Sequence, residues 1–130
     1  MKWYLDSSVV VHALLPAGDP RARTWLEAVR RRGDAVYSSA LLELEMVRVL
    51  RRERLDAALV GAAVKRVALV SIDDGILRIA AAIEPHVKAL DAIHLATCSL
   101  LGSGVTVATH DSAMSSAAAS LGFDVVDPLG

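Results

Sequence analysis

The chain has 130 residues, a formal net charge of −1 at pH 7, 54% apolar and only 4% aromatic residues, and one cysteine. That length suits one domain with a core of Ala, Val and Leu; the near-neutral total excludes a strongly basic nucleic-acid coat, and no run reaches the roughly eighteen apolar residues of a membrane span. Cys98 has no disulfide partner, which agrees with a reducing, cytoplasmic setting.

Met1-Lys2-Trp3 enters a strand at once, with no room for a signal peptide, and Trp3-Tyr4-Leu5 carries that strand into Asp6-Ser7-Ser8. The run from Val9 to Leu15, closed by Pro16, reads as a helix. Asp6 therefore sits at the carboxyl end of a buried strand, where open α/β sheets bind ligands. Asp is equally a good helix N-cap, and the residues alone leave both roles open.

Asp19-Pro20 opens a helix to about Arg32 with an apolar stripe of Trp25, Leu26 and Val29, ended by Gly33-Asp34. Ala35 to Ser38 is a short strand leading through Ser39 into a long helix, about Ala40 to Arg54. A further helix is expected from Leu55 to Val67, then Ala68 to Ile72 as a continuous apolar strand of the buried parallel kind. Asp73-Asp74-Gly75 turns into a helix from Ile76 to Ile83, broken by Pro85. Asp91 stands at the mouth of an apolar helix running to Leu101. Gly102-Ser103-Gly104 precedes the strand Val105 to Ala108, and Thr109-His110-Asp111 leads into an alanine-rich helix, Ser112 to Leu121, ended by Gly122. Phe123 to Val126 is the last strand. Strands and helices alternating without repeats or linkers imply a three-layer α/β/α sandwich around a central, mostly parallel sheet.

Charge is uneven along this order. Residues 1 to 66 carry twelve Lys/Arg against eight Asp/Glu, and residues 67 to 130 carry two against seven. Solvated helix surface is the ordinary meaning of Arg30-Arg31-Arg32 and of Arg48, Arg51, Arg52 and Arg54; a phosphate-tracking face is the other. A mean hydropathy of +0.44 points to an interface that hides extra apolar surface.

Asp6, Asp91 and Asp111 each follow a strand or open a helix, and parallel strands bring their carboxyl ends to one sheet edge. Carboxylates gathered there repel one another unless a cation neutralises them, and an oxygen-only set calls for a hard ion, Mg²⁺ or Mn²⁺. Zinc does not fit, because His12, His86, His94 and His110 lack metal-ligand spacing. A fourth acid is expected from the helix at 40 to 54. At about 100° per residue, Leu42, Met46, Val49 and Leu50 form its core stripe, with Glu43 and Glu45 flanking it on opposite sides. Periodicity does not choose between them.

Tyr4-Leu5-Asp6-Ser7-Ser8, Ser38-Ser39-Ala40-Leu41-Leu42-Glu43-Leu44-Glu45 with Arg48, Leu90-Asp91-Ala92-Ile93-His94-Leu95-Ala96-Thr97 and Thr109-His110-Asp111 together resemble a PIN domain. More narrowly they are similar to the VapC toxins of prokaryotic VapBC toxin–antitoxin modules, over essentially the whole chain. The resemblance implies an acidic quartet of Asp6, Glu45, Asp91 and Asp111 on one pocket tight enough to share a magnesium-type ion. Glu45 is selected because the family's acid lies six residues beyond the serine that starts the helix, here Ser39. Ser7 and Thr109 match hydroxyls near the metal, Arg48 a possible phosphate contact, and His94 a residue expected to pack or hydrogen-bond structurally.

The implied activity is that of an Mg²⁺-dependent endoribonuclease that cleaves RNA with an activated water. The implied partners are a VapB-type antitoxin that blocks the site and a second copy in a homodimer, with no membrane. Two rivals have distinct signatures. A phosphoacceptor receiver domain would place a lysine after its last strands, where Thr109-His110-Asp111 has none. An RNA-processing nuclease or a non-catalytic RNA-binding module on the same fold would lack an antitoxin gene beside it.

Overall fold

Strand β1 (Lys2–Leu5) alternates strictly: Trp3 and Leu5 face one side of the sheet and Tyr4 the other. In the computed structural model, which describes residues 1–130, this alternation divides the core into two layers. Trp3 and Leu5 join Val9, Val10, Leu26, Val29, Leu42 and Met46 on one face, while Tyr4 joins Leu95, Val105, Val107, Met114 and Ala118 on the other.

The first face is covered by α1 (Ser7–Leu14), α2 (Pro20–Arg31), α3 (Leu41–Arg52) and the short α4 (Val60–Ala63). The second is covered chiefly by α6 (Ala89–Leu101) and α7 (Ser112–Ser120), with α5 (Asp74–Ala81) packed on α6. Trp3 fixes the first layer: its ring meets Trp25 edge-on at 4.9 Å, and its indole N–H donates to Asp34 at 3.0 Å. Asp19 caps α2 by accepting from the Arg21 amide, with Pro20 at the first helical position as expected.

The remaining strands are β2 (Ala35–Ser39), β3 (Ala68–Val70), β4 (Val105–Ala108) and β5 (Asp124–Val126). All pair in parallel in the order β3-β2-β1-β4-β5. The chain winds outward from β1 to β3 and then returns to lay β4 on the other side of β1. The reversal leaves a crevice at the carboxyl ends of β1 and β4, where such sheets bind ligands. The Asp6 amide donates to the Ala108 carbonyl across this junction at 3.0 Å.

Two expectations change. Ala68 to Ile72 is not a buried central strand: β3 is an edge strand of three residues, with Ala68 and Ile72 exposed. Its apolar run reflects contact with one helix layer rather than two. The helix expected from Leu55 to Val67 is a 3₁₀ turn (Ala57–Leu59) followed by the single turn of α4, since Gly61 and the β-branched Val60, Val64 and Val67 propagate a helix poorly. α3 likewise stops at Arg52, because Arg54 adopts a positive φ of 58°. No helix is long and apolar enough to cross a membrane.

Candidate functional site

Asp6 follows β1 in extended conformation, at the N-cap position of α1, but its side chain makes no capping hydrogen bond. Its Oδ2 instead accepts from Ser8 Oγ at 2.7 Å and from Thr109 Oγ1 at 2.8 Å, and the residue is only 3% exposed. Ser8 Oγ also accepts from the His110 amide, and Thr109 Oγ1 from the Asp111 amide. Two hydroxyls thus lock the loop after β4 onto the carboxylate that ends β1.

Asp111 does what Asp6 does not. Its Oδ1 accepts from the Ala113 and Met114 amides at 2.8 and 3.1 Å, capping α7. Asp91 lies in the first turn of α6, whose N-cap residue is Lys88. Burial first, then the charges of Asp6 and Asp111, push the Asp91 carboxyl above the usual carboxylate range, with Glu45 adding to the effect. Asp6, Glu45, Asp91 and Asp111 therefore form one electrostatic unit.

The helix α3 sends its two acids to different places. Glu45, half-buried, lines a cleft of about 780 Å³ together with Asp91, Asp111, His86 and Lys88, while Glu43 is exposed and has no partner. Glu45 Oε2 accepts from Ser7 Oγ at 3.2 Å, and Oε1 lies 2.7 Å from His94 Nε2. Ser7 and Thr109 thus both reach carboxylates, as the sequence leads one to expect. Arg48 does not line the cleft; with Arg51 and Arg52 it forms a separate pocket of about 380 Å³.

One expectation is only half met. The four acids gather at one edge, but no three stand close enough to ligate a single ion directly. The reason is local: Asp6 is held by Ser8 and Thr109, Asp111 by the α7 amides, and Glu45 by Ser7 and His94. The donor set still suits Mg²⁺ or Mn²⁺. Every candidate ligand is a hard oxygen, the four acids outnumber Lys88 on the cleft wall, and Mg²⁺ keeps several waters that span longer gaps.

Sequence reasoning assigned no role to Ser8 or Tyr4. Signals for both existed: Ser8 lies one turn from the sheet edge beside Asp6, and Tyr4 shares a sheet face with Asp6 by the period-2 rule.

Comparison with known proteins bears on the family and the fold. The family model described as PIN domain matches residues 3–120. Ribonuclease VapC46 of Mycobacterium tuberculosis (strain ATCC 25618 / H37Rv) is 35% identical over 128 residues, 96% of each chain. Among solved structures, a toxin–antitoxin complex from Klebsiella pneumoniae superposes with a TM-score of 0.72 at 20% identity, covering 98% of both chains. VapBC2 from Rickettsia felis, bound to a DNA fragment from its promoter, gives 0.73 at 9% identity and the same coverage. These two likenesses concern the fold.

Proposed function

Because this chain belongs to the PIN-domain family and is of the VapC type, we propose that it is a divalent-metal-dependent endoribonuclease serving as the toxin of a VapBC-type pair. The observation that carries the reading is the Asp91 carboxyl, pushed up by burial and by the charges of Asp6 and Asp111 in a cleft at the sheet's switch point. Such clustering costs stability in the absence of a cation and is relieved by one.

Asp6, Glu45, Asp91 and Asp111 would hold Mg²⁺ or Mn²⁺. When bound, such an ion lowers the pKa of a coordinated water and offsets charge developing on the phosphoryl oxygens. The residues of the chain do the rest. Ser8 and Thr109 fix the rotamer of Asp6, and the α7 amides fix Asp111. Lys88 and His86, on the cleft wall, would face the phosphodiester of an RNA laid in the cleft. Water attacks phosphorus in line with the departing 3′ oxygen, leaving 5′-phosphate and 3′-hydroxyl ends. The 2′-hydroxyl takes no part, so a pair of catalytic histidines is not required.

Arg48 and Arg52 lie three and seven residues beyond Glu45, hence on the same side of α3, and with Arg51 they offer the RNA backbone a phosphate contact beside the cleft. An apolar groove of about 310 Å³ between α1, α2 and α4, lined by Val10, Leu14 and Leu26 with Arg23 and Glu27 at its margin, suits an amphipathic helix of an antitoxin. The exposed Leu77 and Leu100 are available to a homodimer interface.

The test is purified protein on total RNA with Mg²⁺, Mn²⁺ or EDTA, beside Asp6→Asn and Asp91→Asn. Cleavage with either ion, its loss in EDTA and its loss in both variants are expected. Unchanged cleavage in EDTA or in both variants would contradict the proposal.

A further inference from the structure

Beneath the cleft runs a chain of side-chain hydrogen bonds that the quartet does not include. Tyr4 Oη lies 2.5 Å from His94 Nδ1, and His94 Nε2 lies 2.7 Å from Glu45 Oε1. His94 is fully buried, three residues beyond Asp91 on α6, so one helix presents Asp91 to the cleft and His94 to the layer below. Tyr4 is two residues before Asp6 on β1.

The donors and acceptors fix the imidazole's state. An ionised carboxylate only accepts, so Nε2 carries a proton and donates to Glu45. The phenol keeps its proton, because burial pushes Tyr4 well above its ordinary range. That proton needs an acceptor. His94 Nδ1 faces Tyr4 Oη, and the neighbouring Ser38 and Thr97 hydroxyls donate to the Leu5 and Ile93 carbonyls. The imidazole is thus held between the phenol at Nδ1 and Glu45 at Nε2, with Nε2–H directed at the carboxylate.

We propose that His94, held between Tyr4 and Glu45, is a positioning residue that keeps Glu45 in its metal-binding rotamer. This rests on the reading of Glu45 as one of the four acids. Glu is among the side chains that lose most rotamer freedom on ordering, up to about 2 kcal/mol, and only Ser7 at 3.2 Å otherwise restrains this one. Partners of this kind set both the orientation and the basicity of a ligand. A histidine that merely filled space would need neither of its two polar contacts.

The test uses the full chain with ¹⁵N-labelled histidine and Mn²⁺ as probe, its binding followed by electron paramagnetic resonance without RNA. The His94 nitrogen shifts should report the Nε2–H tautomer, and Tyr4→Phe should blur that preference. His94→Leu should weaken Mn²⁺ binding about tenfold or more, and His94→Gln, whose amide N–H can reach Glu45, should recover part of the loss. An Nδ1–H tautomer overturns the proposal, as does wild-type Mn²⁺ affinity in His94→Leu when Glu45→Gln has lost it. Wild-type affinity in Glu45→Gln itself overturns the assignment of Glu45, and the positioning role with it. If His94→Leu does not fold, the tautomer and the Mn²⁺ affinity of Tyr4→Phe decide: an Nε2–H signal with weakened binding supports the proposal, and unchanged binding overturns it.

Discussion

At the end of β1, Asp6 occupies the N-cap position of α1 without capping it, whereas at the end of β4, Asp111 caps α7 through two amides. The two residues follow neighbouring strands, and the charges of both act on Asp91. A capping role explains Asp111 without any ligand. It does not explain Asp6, whose buried side chain accepts from the Ser8 and Thr109 hydroxyls and from no backbone amide of the helix it precedes. Burying a carboxylate costs stability unless something compensates, and two hydroxyl bonds compensate only in part. The contrast supports the proposal that Asp6 is placed for the site rather than for a cap.

The sharpest way to break the comparison is to remove charge while keeping shape. Asp6→Asn retains an acceptor for Ser8 and Thr109, so RNA cleavage should fall about a hundredfold or more while unfolding free energy moves by less than about 1 kcal/mol in a denaturant titration. Retained cleavage together with a destabilised fold would make Asp6 a structural residue after all. On α3 the same logic separates two acids: Glu45→Gln should lose about tenfold or more in cleavage rate and Glu43→Gln essentially nothing, since only Glu45 faces the cleft.

Asp111 should divide into two effects. Asn is as good an N-cap as Asp, so Asp111→Asn should lose activity and little stability, whereas Asp111→Ala should lose about 1 kcal/mol more as α7 loses its cap. Equal stabilities of the two variants would mean that the cap observed here contributes nothing.

The smallest effect concerns pH. The folded protein holds the Asp91 proton more tightly than the unfolded chain does, so native stability falls as pH rises from the ordinary carboxylate value of 3.8 through the raised pKa, and the full cost is present above it. In EDTA, Asp91→Asn should therefore melt higher than the wild type at pH 7, with the difference closing as pH drops below 3.8. A gap that does not depend on pH would place its origin elsewhere.

Much of this was legible beforehand. Period-2 alternation at Trp3, Tyr4 and Leu5, Asp19-Pro20 and the apolar spacing of α3 and α6 have direct physical meanings, and they returned the strand order's parallel character and the helices in sequence. β3 was misread because an edge strand lying against one helix layer has the same apolar run as a central one. The 3₁₀ turn and single helical turn between Ala57 and Ala63 were misread because an apolar pattern carries no information on where propagation fails. Glu43 and Glu45 were indistinguishable because a helix's rotation about its axis is set by its neighbours, here α1 and α6, which supply Ser7 and His94. The bonds from Tyr4 to His94 and from Ser8 to Thr109 join residues 90 and 101 positions apart, so local spacing places Tyr4 and Ser8 beside Asp6 without naming these partners.

The central claim is that Asp6 and Asp111, which follow β1 and β4, and Glu45 and Asp91, carried by α3 and α6, together take up one divalent cation. Its most direct test is the thermal unfolding midpoint at pH 7, first in EDTA and then in millimolar Mg²⁺, for the wild type and Asp91→Asn. Mg²⁺ should raise the wild-type midpoint by binding the folded state, and should leave the variant, already higher in EDTA, nearly where it began. An equal rise in both proteins, or none in the wild type, would contradict the account.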